Sequence, residues 1–105
     1  MRQETIDRIR KFTADRNWGQ FHTPAKLAKS IAIEAGELLE CYQWSEEADL
    51  EQVKQELADV IVYCRNMLDA LGLDEDEIIN AKMDQNEKKY PVDKAYGNSK
   101  KYTDY

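Results

Sequence analysis

The chain is predicted to be an all-α protein of the four-helix bundle type. Apolar residues recur at three- and four-residue spacing through almost all of its 105 residues, which is the period of a helix with one buried face. No segment alternates apolar and polar residues between hairpin turns, so strands are not expected. In addition, residues that favour helix starts and stops stand at the edges of the apolar runs.

The first predicted helix covers residues 5–17, and a loop with the sequence NWGQFHTP follows it. Its apolar face consists of Ile6, Ile9 and Phe12. Thr23 is a favoured N-cap and Pro24 a favoured first residue, so the second helix should run from Pro24 to about Tyr42. Its apolar stripe consists of Leu27, Ile31, Ala35, Leu38 and Leu39.

The third predicted helix follows a short connection, residues 43–48. Asp49 can cap its start, and Gly72 should end it, because glycine readily adopts the left-handed conformation that terminates helices. Its apolar residues are Leu50, Val53, Leu57, Val60, Ile61, Cys64, Met67, Leu68 and Leu71. The short connection predicts that helices two and three pack antiparallel.

Asp74 followed by Glu77 resembles a capping box and starts the fourth predicted helix. This helix must end near residue 90 because Pro91 follows. The remaining residues are polar and have no strong period. We therefore expect one domain over residues 1–93 and a polar tail over residues 94–105.

Composition narrows the classes of function. The 15 basic and 21 acidic residues give a net charge of −6, which argues against binding to a nucleic-acid backbone. No stretch approaches 18 apolar residues, so no membrane span is expected, and the N-terminus lacks the apolar core of a signal peptide. Cys41 and Cys64 lack CxxC spacing and are expected to be reduced packing residues. The expected location is the cytoplasm.

Four carboxylates interrupt the apolar stripes of two neighbouring helices. Glu34 and Glu37 lie on the second helix, and Glu56 and Asp59 repeat the same i,i+3 spacing on the third. Burying an isolated carboxylate is unfavourable by several kcal/mol unless it is paired, protonated or bound to metal. Antiparallel packing would bring the two pairs together. The alternative is that these residues, like Glu40 and Asp69, lie on solvated faces.

Converging carboxylates offer hard oxygen ligands, which suit Mg²⁺ or Mn²⁺ better than zinc or copper. An iron-carboxylate site is disfavoured, since neither pair carries a Glu-x-x-His motif and the chain has one histidine, His22. Glu40 lies one turn beyond Glu37 without a counterpart on the third helix. It is expected to be solvated, or at most to contact another ligand.

The two pairs read EAGE at 34–37 and ELAD at 56–59, and this ExxE…ExxD pattern resembles the MazG-type all-α nucleoside triphosphate pyrophosphohydrolases. The segments NWGQFHTPAKLAKSIAIEAGELLECYQW and KMDQNEKKYPV are similar to the dCTP pyrophosphatase-like branch of that family. The resemblance covers about residues 15–93. It implies a dimer or tetramer that hydrolyses a nucleoside triphosphate to monophosphate and pyrophosphate.

The resemblance also implies that Glu34, Glu37, Glu56 and Asp59 hold Mg²⁺. One carboxylate, which we expect to be Glu37, would orient or deprotonate the attacking water. The substrate would be dCTP or a modified dCTP, removed from the nucleotide pool. Two alternatives stay open: the same chemistry on dUTP or phosphoribosyl-ATP, and a catalytically idle, metal-binding helical oligomerisation module.

The predicted nucleotide contacts are Trp18, His22, Trp44, Tyr63, Lys82 and Asn86. The two tryptophans, with Phe21, lie in connecting segments, where a flat aromatic face suits stacking on a base. They could instead cap the bundle core. Lys82 and Asn86 are i,i+4 on the fourth helix and share one face. The resemblance places Lys82 at the phosphates and Asn86 at the nucleotide or at the water molecules of the metal, although Lys82 could also be solvated.

Overall fold

The computed structural model describes residues 1–104, and this part of the chain is helical without a strand. The α-helices are α1 (Gln3–Asp15), α2 (Pro24–Glu40), α3 (Leu50–Leu71), α4 (Glu75–Lys89) and α5 (Val92–Ala95). Two 3₁₀ turns cover Trp18–Phe21 and Tyr102–Asp104. The all-α prediction is confirmed. None of the described helices is both long and apolar enough to span a membrane.

The predicted caps set the helix ends. The side chains of Thr23, Asp49 and Asp74 accept hydrogen bonds from backbone N–H groups two or three residues later, at 3.3, 3.2 and 2.9 Å. Each bond satisfies a donor that has no partner within its own helix. Gly72 ends α3 with φ of 63°, a backbone conformation that glycine adopts without a steric penalty.

The predicted loop and tail contain structure that the apolar period did not indicate. Residues 18–21 form a 3₁₀ turn, which follows Asn17 in the left-handed conformation at φ 51°. Near the C-terminus, the ring of Tyr102 packs edge-on against Tyr90, with centroids 6.1 Å apart, and Lys89 Nζ lies 5.0 Å from its centroid. These contacts order the turn against the end of α4. Position 105 of the predicted tail lies outside the described residues.

The chain divides into two compact units, Met1–Gly72 and Leu73–Tyr105. Within the first unit, α2 and α3 share the most extensive contact, and α1 also packs on α3. This unit contains both carboxylate pairs. The antiparallel arrangement of the two helices and the domain boundary at residue 93 stay predictions.

Few apolar side chains are buried in the single chain. Among the described residues, only Ile6 and Leu27 form the buried apolar core. The prediction that Leu39 helps to hold α2 in this core is wrong, since Leu39 is 69% exposed while its neighbour Leu38 is half-buried. Consecutive residues point about 100° apart on a helix, so both cannot face the same neighbour. Leu50 on α3 is likewise exposed.

An ion-pair network ties α1 to α3. Arg10 donates two hydrogen bonds to the Asp69 carboxylate, at 2.9 and 3.0 Å, and buried Arg65 donates a third at 3.0 Å. The hydrogen bonds from Arg10, and then those from Arg65, hold the pKa of Asp69 below its ordinary value, although partial burial acts in the opposite direction. Asp69 is exposed, as predicted, but its pairing with two arginines was not predicted.

Candidate functional site

Three carboxylates meet where α2 packs against α3. Glu34 comes from α2, while Glu56 and Asp59 lie one turn apart on α3. One carboxylate oxygen of each residue lies within 4.8 Å of those of the other two. Glu34 and Glu56 are half-buried and Asp59 is exposed. The structure thus gathers three of the four predicted metal ligands at one point.

Two oxygens of this cluster have no hydrogen-bond partner among the described residues. They are Glu34 Oε2 and Glu56 Oε2, and both are buried. Burial raises the pKa of both glutamates, and contact with Glu37 and the nearby charge of Asp59 raise it further. The bare cluster therefore resists full ionisation.

Glu37 is exposed and lies beside the two half-buried glutamates. When protonated, Glu34 and Glu56 can each donate a hydrogen bond to Glu37, which is one reason for their raised pKa values. The predicted fourth ligand is thus adjacent to the cluster, although it is not one of the three mutually closest carboxylates. Glu40 is exposed, and its charge also raises the pKa of Glu56.

The cluster fits a divalent metal ion. A cation that enters the cluster gives the unpaired, buried carboxylate oxygens an opposite charge and a ligand bond. Their burial is then no longer unfavourable. The donor atoms are all carboxylate oxygens, the ligand type preferred by Mg²⁺, Mn²⁺ and Ca²⁺. The residues present therefore suit the class of metal that the sequence predicts.

A cavity of about 520 Å³ between α1 and α3 reaches this cluster through Asp59. Its lining residues are Thr5, Arg8, Ile9, Phe12, Thr13, Trp18, His22, Asp59, Val62, Tyr63 and Asn66. The rings of Phe12 and Trp18 meet edge to face within it, with centroids 5.5 Å apart. A second cavity, of about 390 Å³, shares Trp18, His22 and Tyr63 with the first and adds Phe21, Lys26 and Lys29. A third, of about 470 Å³, shares His22 and Asn66.

The structure brings Trp18, His22 and Tyr63 together at two of the cavities, one of which also includes Asp59. Trp44 lines none of these three cavities, and its side chain is 89% exposed. It therefore does not cap the core of the single chain. Lys82 and Asn86 lie on α4 in the second unit, where Lys82 is exposed and Asn86 half-buried. Their predicted contact with the nucleotide stays a prediction.

The sequence analysis missed Asn66, which is buried and lines two of the cavities. Its signal was present, because Asn66 follows Asp59 by seven residues and so lies on the same helical face. Arg8, Lys26 and Lys29 also line cavities and were not predicted to do so. Exposed lysines and arginines are common on helices, and no sequence pattern distinguishes these three from the remaining basic residues.

Comparison with known proteins shows the family of the chain. Residues 29–105 match the MazG-like family. The chain is 33% identical to dCTP pyrophosphatase 1 of Rattus norvegicus and 31% identical to that of Homo sapiens; each alignment covers 97% of this chain and 68% of the relative. A crystal structure of a pyrophosphatase from Archaeoglobus fulgidus superposes with a TM-score of 0.77 at 39% identity, over 85% of this chain and 91% of that one. The chain belongs to the MazG-like family.

Proposed function

We propose that this chain is a Mg²⁺-dependent nucleoside triphosphate pyrophosphohydrolase that acts on dCTP or a modified dCTP. Its family and its similarity to proteins named dCTP pyrophosphatase 1 support the enzyme class. The observation that carries the proposal is the convergence of Glu34, Glu56 and Asp59, two of them with unpaired buried oxygens, beside an aromatic-lined cavity. The products would be a monophosphate and pyrophosphate.

In this proposal Glu34, Glu56 and Asp59 hold the metal, with Glu37 as a fourth ligand or as the base. A bound Mg²⁺ supplies positive charge that neutralises the phosphate oxygens and polarises the phosphorus. Glu37 is exposed and so can reach a water molecule, orient it and accept its proton. The water oxygen then bonds to the α-phosphorus while the bond from that phosphorus to the oxygen bridging the α- and β-phosphates breaks, and pyrophosphate leaves.

The cavity would hold the sugar and base. Trp18 offers a ring face for stacking, and His22 and Tyr63 offer polar atoms for the sugar or the base edge. Lys26 and Lys29 line the adjoining cavity and would reduce the repulsion between an acidic protein and a triphosphate. We also propose that Lys82, Asn86 and Trp44 complete the site in the assembled enzyme.

We propose that the chain assembles as a dimer or tetramer through apolar surfaces of α2 and α3, with these helices antiparallel. Support comes from large apolar side chains that the single chain leaves open, above all those of Leu39, Trp44 and Leu50. Large apolar side chains left open on a protein surface often mark sites of association. A second copy that covers it would also provide the core that the single chain lacks.

The test is turnover of each dNTP and NTP, together with phosphoribosyl-ATP, in the presence of Mg²⁺. We expect monophosphate and pyrophosphate in equal amounts, with the highest rate on dCTP or a modified dCTP. Fastest turnover of dUTP or phosphoribosyl-ATP would change the proposed specificity and leave the chemistry intact. A melting temperature that rises with Mg²⁺ while no nucleotide is hydrolysed would instead support the idle, metal-binding module.

The role of Glu37 has its own test. Glu37→Gln should keep the helical circular dichroism spectrum and lose at least ~10²-fold in kcat, a usual scale for removing a proton-transfer group. Glu4→Gln, at an exposed glutamate in the first turn of α1, is the matched control and should keep the wild-type rate. A folded Glu37→Gln variant with full activity would remove Glu37 from the mechanism.

A further inference from the structure

The Asn66 side chain is nearly buried and borders two cavities. Asn66 is only 9% exposed, and it lines the cavity that contains Asp59 as well as the one that contains Asp69. Its amide makes no hydrogen bond to another residue in the described part of the chain, and its atoms are not among the fully buried ones that lack a partner. The amide is therefore open to these cavities and available to a ligand.

The position of Asn66 suggests what that ligand is. Asn66 lines the cavity that also contains Asp59 and Tyr63. These three residues follow one another at four- and three-residue spacing, so they form a row along one face of α3. At 1.5 Å per residue, Asp59 and Asn66 are roughly 10 Å apart along the helix axis. This separation is comparable to that between a phosphate and the far edge of the base in a nucleotide.

We propose that the Asn66 amide hydrogen-bonds the edge of a pyrimidine base at its 3 and 4 positions. This inference rests on the proposed function, because Asp59 fixes the phosphate end of the row. The amide carries one acceptor and two donors, and therefore matches an edge where a ring nitrogen stands beside an exocyclic amine or oxygen. Trp18 and Phe12 in the same cavity supply aromatic surface for the base.

A base edge in this position gives the amide a hydrogen-bond partner and excludes solvent from it. A ligand that lacks the matching group would cover the amide without pairing it and would therefore be disfavoured. The test therefore compares dCTP with its 2-pyrimidinone analogue, which has no exocyclic group at position 4. Cytosine carries an amine at that position and uracil an oxygen. The same analogue therefore serves as the reference for dCTP and for dUTP.

Wild type should prefer dCTP to the analogue by roughly tenfold in kcat/KM, the scale of one buried hydrogen bond. Asn66→Ala should reduce this preference to about one, since neither substrate then has a partner at position 4. Gln52→Ala, at an exposed glutamine on α3, is the matched control and should keep the wild-type ratio. If Asn66→Ala kept the wild-type preference for dCTP over the analogue, the proposal would be overturned. Turnover of dCTP by the wild type would still support the proposed function.

Binding provides a readout that does not depend on turnover. Calorimetry should find weaker binding of dCMP to Asn66→Ala than to wild type, and equal binding of deoxyribose 5-phosphate, which has no base. Equal loss for both ligands would contradict a base contact.

Thermal unfolding separates this role from a structural one. Because the amide has no partner in the chain, Asn66→Leu should melt close to the wild-type temperature without ligand. A large drop in both Asn66→Leu and Asn66→Ala would assign Asn66 to the fold and overturn the proposal.

Discussion

Replacing Asp69 by asparagine should lower the stability of the fold, chiefly by removing the anionic partner of buried Arg65. The substitution keeps the size of the side chain and removes the charge that binds Arg10 and Arg65. Arg65 is the more consequential partner, since its side chain is 7% exposed whereas that of Arg10 is 50% exposed. Ion pairs that water can reach contribute little to stability, but a buried guanidinium depends on its protein partners.

The expected magnitude follows from the hydrogen bond between Arg65 and Asp69, at 3.0 Å. Hydrogen bonds to charged groups contribute about 1.5–3 kcal/mol. A neutral asparagine can still accept one hydrogen bond, so we expect Asp69→Asn to lower the free energy of unfolding by about 1–2 kcal/mol. For a chain of this size that corresponds to a fall in melting temperature of roughly 4–16 °C.

Thermal unfolding followed by circular dichroism at neutral pH measures this loss, and its pH dependence checks the cause. The folded-state pKa of Asp69 lies below its unfolded value, so its contribution is complete above the unfolded pKa of about 3.9. The contribution disappears as pH falls through the lower, folded-state pKa. The difference between wild type and Asp69→Asn should therefore shrink in strong acid. A difference under ~0.5 kcal/mol at neutral pH would refute the reasoning.

Three further predictions concern the carboxylate cluster and the core. Without divalent metal, the raised pKa values of Glu34 and Glu56 mean that the folded state binds protons more tightly than the unfolded state. The melting temperature should therefore rise as pH falls from neutral towards about 4.5. Added Mg²⁺ should abolish or reverse this dependence on pH. Glu56→Gln should raise the metal-free melting temperature yet weaken Mg²⁺ binding at least about tenfold by calorimetry; unchanged Mg²⁺ affinity would exclude Glu56 as a ligand. Leu27→Ala should lower the free energy of unfolding by about 2–5 kcal/mol in urea titrations, because Leu27 is 1% exposed; a loss under 1 kcal/mol would contradict its central place in the core.

The helix ends were predictable from the sequence because capping is local. Thr23, Asp49 and Asp74 act on backbone groups within three residues, and Gly72 needs only its own dihedral freedom. The carboxylates were predictable for a similar reason. Charges inside an apolar stripe are anomalous whichever helices pack together, so the pattern at residues 34–59 indicates a site before any contact is known.

The features that the sequence did not predict depend on which side of a helix meets a neighbour. Leu38 and Leu39 are equally apolar, yet only the packing of α2 shows which of them turns inward. Asp69 looks like a surface residue until Arg10, 59 positions away, is placed beside it. Asn66 shares a helical face with Asp59, but only the packing of α1 on α3 shows that it borders a cavity.

The carboxylate cluster and the open apolar surfaces both reduce the stability of the isolated chain. Burial, and then repulsion among the carboxylates, raises the pKa values of Glu34 and Glu56. The buried apolar side chains of Ile6 and Leu27 form only a small core to offset this destabilisation. A bound cation removes the repulsion, and association of chains supplies apolar burial. Metal binding and assembly should therefore stabilise the same helix pair, since α2 and α3 carry both the carboxylates and much of the exposed apolar surface. Occupancy of the site should accordingly favour the assembled form.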